Sequence, residues 1–490
     1  MEPHSDRGTR EQLRWIGLLW MAGFVMDFTA AGQRFWLVWV LVIGLPVLLR
    51  PASAWAFGLL LAGTAVAAVA NLPALPNHLL VGLLAALGFG VSALWVWATR
   101  NRPDARGDFL ARWFDTARTP VGLTLLLVYL FAAFHKLNTA YFDPAVSCAG
   151  AVLGHPIITI QPDLRVPTAL VQIGAVGSVV VEFGIPVLLA IPRLRRWGLL
   201  LGIAFHLSLA PGGFWDFATL VFALYLLLMP RRVFTEMAGG TTRLRVIVMA
   251  GFGVNLALFV TAVALPVPML GVWGRSRLIE LAIVAWFVGV LPLLVRLIRG
   301  CFAERRAWAP LHLRPAVVLV VPLLAFVNGW TPYLGLKTVP TFSMFSNLHV
   351  EAGATNHLLP GMANLQVAPF LADPVTVTAL ELRTDDRREA LRKLEWAAEQ
   401  PPITVPLAGA APRGGPVARG RGVGRAARVR ARRGPAIGAG RAHRPRAEHP
   451  AALVGTAPAG LPGDGLGRGP GPVPVVSRPV VSTPVVSTPC

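Results

Sequence analysis

The chain has 490 residues, 54% hydrophobic and only 14% charged, where soluble domains carry about a quarter charged residues; an ordinary water-soluble globule is excluded and a bilayer is implied as solvent. The net charge of +21 does not mark a nucleic-acid binder, because residues 401–490 hold thirteen arginines against two acids, Glu448 and Asp464, and so carry +11 of it. The three cysteines, Cys148, Cys301 and Cys490, form no CxxC and no His/Cys cluster with ligand spacing, which excludes a disulfide framework and a metal site.

A short N-terminal tail, 1–12, precedes the first apolar run, which is long enough to stay as a helix rather than be cleaved as a leader. Apolar runs then predict eleven membrane-crossing helices at 13–31, 35–49, 54–71, 79–98, 120–138, 169–191, 197–211, 216–230, 246–266, 279–298 and 316–334, so that 13–334 is an all-α polytopic membrane bundle. With the N-terminus in the cytoplasm, the inner segments up to 334 hold twenty-one arginines and the outer loops four (Arg34, Arg165, Arg275 and Arg277), the asymmetry expected of a multi-pass protein of the cell membrane. This orientation puts loop 139–168, the outer end of helix 120–138 and everything after 335 on the extracytoplasmic side.

Composition changes after 335. Residues 335–405 read as a small extracytoplasmic appendage, with a helix over 384–399 opened by two acids and a strand starting in PITVP. From 406 to 490 the chain is Arg/Gly/Pro-rich and ends in RPVVSTPVVSTPC; it lacks the apolar area to offset the entropy of ordering and reads as a disordered tail. Its abrupt onset is also what a shifted reading frame in a GC-rich gene would give.

Polar groups inside apolar helices need a reason. Lys136 ends the run PVGLTLLLVYLFAAFHKLN, with His135 before it and Asn138 after it. One reading is a lysine snorkelling to the headgroups; against it, the outer side is poor in basic residues. Glu182 lies mid-span in VVVEFGIPVLL, as a partner for Lys136 or His206 or as a protonated structural group. His206 is an interior histidine or a catalyst. Asp27, Glu280 and Asp216 read as boundary residues, and Cys148 as a free thiol, with a pairing to Cys490 the alternative.

The stretch YLFAAFHKLNTAYFDPAVSCAG resembles the signature of the horizontally transferred transmembrane domain family, related to the vitamin K-dependent gamma-carboxylases, with the motif lysine at Lys136 and Ala133 where the family has Gly. FHLSLAPGGFWDFATLVFALYLLL, carrying His206, and FSMFSNLHVEAGATNHLL, carrying Phe342, Met344, Phe345, Ser346 and Asn347, are similar to two further family segments. The resemblance covers roughly residues 10–400. It implies a lysine base that deprotonates a vitamin K hydroquinone-like reduced quinone, with oxygen and carbon dioxide as co-substrates. It also implies the lipid bilayer and a lipid-soluble quinol as partners, with the protein substrate unassigned. Two features depart from the carboxylases: no His lies between His78 and His135, where those enzymes use a loop His, and no large β-rich domain follows the helices. The chemistry needs a neutral amine, which burial favours over the ammonium. The alternative function is a non-catalytic membrane component or a transporter, although no repeat symmetry of the transporter kind is found.

Overall fold

The structure, a computed structural model, describes residues 3–337 apart from 31–33, 73–74, 102–107, 161–165, 239–240, 265–273, 305–307 and 314, then 340–350, 355–362 and 367, and three strands at 374–382, 404–406 and 427–432. The first of two compact units, Met1–Ala372, is built of helices joined by loops and has no β-strand among its described residues. In chain order it contains α1 (Pro3–Ala30), α2 (Arg34–Leu49), α3 (Ala54–Ala70), α4 (Asn77–Ala98) and α5 (Phe109–His135). Then come the short α6 (Thr139–Phe142), α7 (Cys148–Ile160), α8 (Thr168–Ala190), α9 (Arg195–Leu209), α10 (Trp215–Leu228) and α11 (Arg231–Met237). The unit closes with α12 (Thr241–Ala264), α13 (Gly274–Ala303) and α14 (Val320–Trp330), the last entered through a 3-10 turn at Ala316–Leu319.

Each of the eleven apolar runs falls on one of these helices. Five, within α4, α5, α8, α12 and α13, are long and apolar enough to cross a membrane, or six if α10 and α11, bent by 105°, make one span. Sequence reading placed no helix at α6, α7 or α11. It also began α5 at Pro120, whereas the helix starts at Phe109 and carries Pro120 inside it.

The second unit, Asp373–Pro489, contains an antiparallel sheet of order β2-β1-β3, with β1 at Pro374–Leu382, β2 at Thr404–Pro406 and β3 at Ala427–Arg432. β2 falls in the PITVP segment, and β3 lies within the stretch read as a tail. The expected helix over 384–399 and the rest of 406–490 lie outside the described residues.

Helix α5 is central to the first unit and packs against α4, α8, α10 and α14, while α1 packs against α2, α10 and α11. Aromatic side chains fill the space between α1, α3, α4 and α5: Trp20, Phe57, Phe89, Trp113 and Phe114 stack edge to face, with Trp20 donating to Thr64 Oγ1 (3.1 Å) and Trp113 to the Phe89 carbonyl (2.8 Å). Outer surfaces are apolar too. On α8, Ile173, Val176, Val180 and Val187 form an exposed stripe at helical spacing, while Val171, Ala175, Val179 and Glu182 lie on the buried face. A water-soluble helix carries polar residues on its exposed face. Cys148 is disulfide-bonded, which corrects its reading as a free thiol; Cys301 is free and buried within α13.

Helices α12 and α13 meet at two glycines. A Cβ on Gly251 would stand 2.4 Å from the Gly289 Cα, so the backbones touch with no room for a side chain. Gly251→Val is expected to lower the thermal midpoint in detergent, by about 1–3 kcal/mol of overpacking, and an unchanged midpoint would show that the pair separates easily.

Candidate functional site

The α5 terminus is built from the sequence HKLN. The helix ends at His135, Lys136 takes the C-cap position, and Asn138 turns the chain into α6 by accepting the Tyr141 N–H at 2.8 Å. Lys136 is buried, not snorkelled. Its Nζ lies 2.9 Å from Glu182 Oε2 and donates to the carbonyls of Ala132 (3.2 Å) and Met344 (3.0 Å), with the Tyr141 ring centroid at 5.8 Å. Glu182 is on α8, so the ion pair clamps α5 to α8 in an apolar setting. The lysine that sequence reasoning left unpaired therefore has a carboxylate partner, the one offered among the alternatives for Glu182.

A roof covers this pair. Residues 342–347, FSMFSN, run across the outer end of the bundle and are held residue by residue. The Phe342 N–H donates to Asn77 Oδ1 (2.9 Å) at the start of α4, the Met344 carbonyl accepts from Lys136, and the Ser346 carbonyl accepts from Asn138 Nδ2 (2.5 Å). Asn347 accepts the Cys148 N–H (2.8 Å) and donates to the Val146 carbonyl (3.0 Å), so it caps α7 from two hundred residues away. Three of these residues stand at positive φ: Phe342 (65°), Phe345 (50°) and Asn347 (54°). Asparagine tolerates that region; phenylalanine rarely enters it. The adjoining stretch is tied down as well: the Leu358 N–H donates to the Leu137 carbonyl (2.8 Å), and His357 Nε2 to the Phe134 carbonyl (3.1 Å).

His206 is placed elsewhere. It is buried on α9, and its Nε2 lies 2.5 Å from the Tyr129 hydroxyl, which is itself 2.5 Å from the Tyr225 hydroxyl. Tyr129 precedes Lys136 by two helical turns, so α5 carries both polar groups on one face. Of the two partners offered for Glu182, Lys136 is the one it meets, while His206 pairs with Tyr129. His135 donates from Nε2 to the Gly329 carbonyl (3.1 Å) and lies between the rings of Phe131, Phe134 and Tyr333.

Sequence reasoning missed two features. The four tyrosines of the chain all line this region: Tyr129 and Tyr225 at His206, Tyr141 over Lys136, and Tyr333 against His135 and His357. The rarity of the residue was the available signal. Second, Asp27 and Asp216 are not merely boundary residues. Asp27 Oδ1 pairs with His78 Nε2 at 2.7 Å, and both line a small cleft with Gly23, Asp216, Phe217 and Leu220. His78 follows Asn77, which holds Phe342, so the cleft lies beside one end of the roof.

The ammonium's three protons all have acceptors, in Glu182, Ala132 and Met344. Among the described residues no set of His, Cys, Asp and Glu is arranged to hold a metal. The chain matches no known family model, no curated protein and no solved structure.

Two outcomes follow. Lys136→Met leaves Glu182 buried and uncompensated and is expected to destabilise the bundle by about 3–5 kcal/mol, whereas Lys136→Met with Glu182→Leu should recover most of the loss, read from thermal midpoints of the same preparations. Burial lowers the pKa of His357 below its usual 6.5, so the neutral ring belongs to the folded state. The stability it contributes is complete above pH 6.5 and is lost as pH falls toward the folded value. Amide protection factors in 342–350, exchange rates corrected for the intrinsic slowing of exchange in acid, should therefore fall on acidification below about pH 6.5, and His357→Gln should flatten that dependence.

Proposed function

We propose that the chain is an integral membrane protein of the carboxylase-like kind, in which the Lys136–Glu182 pair exchanges a proton near the extracytoplasmic leaflet. The finer topology belongs to this proposal: eleven crossings, with the N-terminus in the cytoplasm and the C-terminus outside. Three observations support it, namely the skew of arginines toward one set of loops, the apolar exposed face of α8, and the length of α5. Eighteen residues separate Arg118 from Lys136, about 27 Å of helix, close to the ~30 Å hydrocarbon thickness of a bilayer.

The observation that carries the chemistry is the buried amine-carboxylate contact of 2.9 Å beneath a roof with strained backbone. A low-dielectric pair of this kind has two nearby states, an ion pair and a neutral amine with a carboxylic acid, which differ by the position of one proton. In the neutral state Nζ has a lone pair and is a base. Two non-glycine phenylalanines at positive φ cost about 1–3 kcal/mol each, and such strain collects at sites that switch. Lifting 342–347 removes the Met344 carbonyl from Nζ and opens the amine to a lipid-soluble reductant such as a quinol, the substrate class implied by the sequence resemblance. Tyr129, Tyr225 and His206 are positioning groups behind the pair.

A second reading, a non-catalytic membrane component, has its own support: every proton of the Lys136 ammonium is satisfied, as in a structural clamp. Activity and stability separate the two. On the first reading, purified protein consumes oxygen in the presence of vitamin K hydroquinone, and Glu182→Gln lowers the rate per folded molecule by at least about tenfold. Absence of oxygen uptake by folded wild-type protein, or full turnover by Lys136→Met, would leave the clamp reading standing.

A further inference from the structure

The end of α5 opposite Lys136 carries a cationic cluster that neither the ion pair nor the roof explains. Arg118 comes from α5, Arg195 from the start of α9 and Arg231 from the start of α11, and the structure sets one carboxylate, Asp115, against them. Arg231 Nη2 is 2.7 Å from Asp115 Oδ1 and also donates to the Ala111 carbonyl (2.6 Å). Arg118 Nη1 stands 3.9 Å from the same carboxylate oxygen, while its Nε donates to the Leu227 carbonyl (3.1 Å). Arg195 is 1% exposed and donates from Nε to the Leu189 carbonyl (2.7 Å) and from Nη1 to the Ala309 carbonyl (2.6 Å).

These contacts do not use up the donors. Arg195 Nη2 and Arg231 Nε are buried and have no hydrogen-bond partner. Arg118 is close enough to both Arg195 and Arg231 for their like charges to repel. Three guanidiniums against one carboxylate leave an excess of two positive charges, and a buried donor without an acceptor is costly. An anion with several acceptor oxygens would relieve both the repulsion and the missing hydrogen bonds.

We propose that this cluster binds the phosphate of an anionic phospholipid in the cytoplasmic leaflet. The proposal rests on the reading of the chain as membrane-embedded, which puts this end of α5 at headgroup depth. Guanidinium forks match phosphate oxygens in geometry and charge. Inorganic phosphate has the same chemistry, but the surroundings favour the lipid. Asp115 and Arg231 open to the surface, with side chains 54% and 22% exposed, and exposed Leu194 and Trp197 flank Arg195 in sequence, giving acyl chains an apolar surface beside the charges.

The test uses the full chain, extracted in a neutral detergent, with lipid retention read by native mass spectrometry and stability by thermal midpoint. Wild type is expected to retain phosphatidylglycerol over phosphatidylcholine and to gain midpoint from it, with no equal gain from inorganic phosphate. Arg118→Gln with Arg231→Gln should weaken retention roughly thirtyfold, the factor for two cationic side chains at an anionic surface. Asp115→Asn removes the carboxylate that pairs with Arg118 and Arg231 and should strengthen retention, so the proposal stays open to refutation if the double variant does not fold. Equal retention of the two lipids by wild type, stabilisation by inorganic phosphate alone, undiminished retention by the folded double variant, or unchanged or weaker retention by Asp115→Asn would each overturn it. Recovery of the chain in the soluble fraction without detergent would instead overturn the membrane reading on which the proposal depends.

Discussion

A lysine ammonium at the end of an apolar helix must be matched where it stands, and much of the first unit is organised by how Lys136 is matched. Its carboxylate comes from α8, its carbonyl partners from the last turn of α5 and from Met344, and its aromatic neighbour from α6. One side chain thus joins segments more than two hundred residues apart. An isolated buried ion would cost several kcal/mol, and even a well-made pair recovers that only when its remaining donors are satisfied. Here they are, which explains why 342–347 is drawn over the end of the bundle and held there by backbone atoms of the roof itself.

That closure also accounts for the conformation of the roof. The Met344 carbonyl must point at Nζ while Asn138 takes the Ser346 carbonyl and Asn347 caps α7. Meeting all three within a few residues forces the chain through the left-handed region at Phe342, Phe345 and Asn347. The rings then use the geometry: Phe342 is fully buried, and Phe345 meets Phe214 at 5.0 Å. The strain is offset by the burial of one aromatic ring and by charge-assisted hydrogen bonding at Lys136, so the closed roof and the ion pair support each other.

The helices were legible in the sequence because apolar runs report them directly, and each predicted run coincides with a helix. What was less legible follows from the same signal. Helices too short to span a bilayer give no membrane-length apolar run, so α6, α11 and the apolar but thirteen-residue α7 were missed. Pro120 was taken as a boundary, although a proline can sit inside a long helix when neighbouring helices and side chains compensate. Lys136 and Asn138 stood out in the sequence as polar residues against apolar neighbours, whereas FSMFSN was singled out only by its resemblance to a family segment. Their partnership was not legible. Nothing local indicates that Asn138 reaches the Ser346 carbonyl or that Asn77 holds Phe342, because those contacts depend on helix packing. His206 was legible as a buried polar residue but was assigned to the wrong neighbours, since the two tyrosines that take it read as ordinary aromatic members of apolar helices.

The two ends of α5 solve the charge problem in different ways, and the contrast bears on how the protein sits in its surroundings. At the Lys136 end a single cation is enclosed, matched by one carboxylate and sealed from above. At the Arg118 end two guanidiniums, Arg118 and Arg231, share one half-exposed carboxylate, and among the described residues buried donors of Arg195 and Arg231 remain without acceptors. A bundle optimised only for its own stability would balance both ends internally. Leaving one end under-neutralised is tolerable where anions are always at hand, as they are at the headgroup level of a cytoplasmic leaflet, and is costly elsewhere. The Lys136 end is closed over by residues 342–347, so the lysine is matched from within the fold. Lys136 therefore depends on Glu182, and any proton that leaves or reaches the amine has the carboxylate 2.9 Å away as its first neighbour.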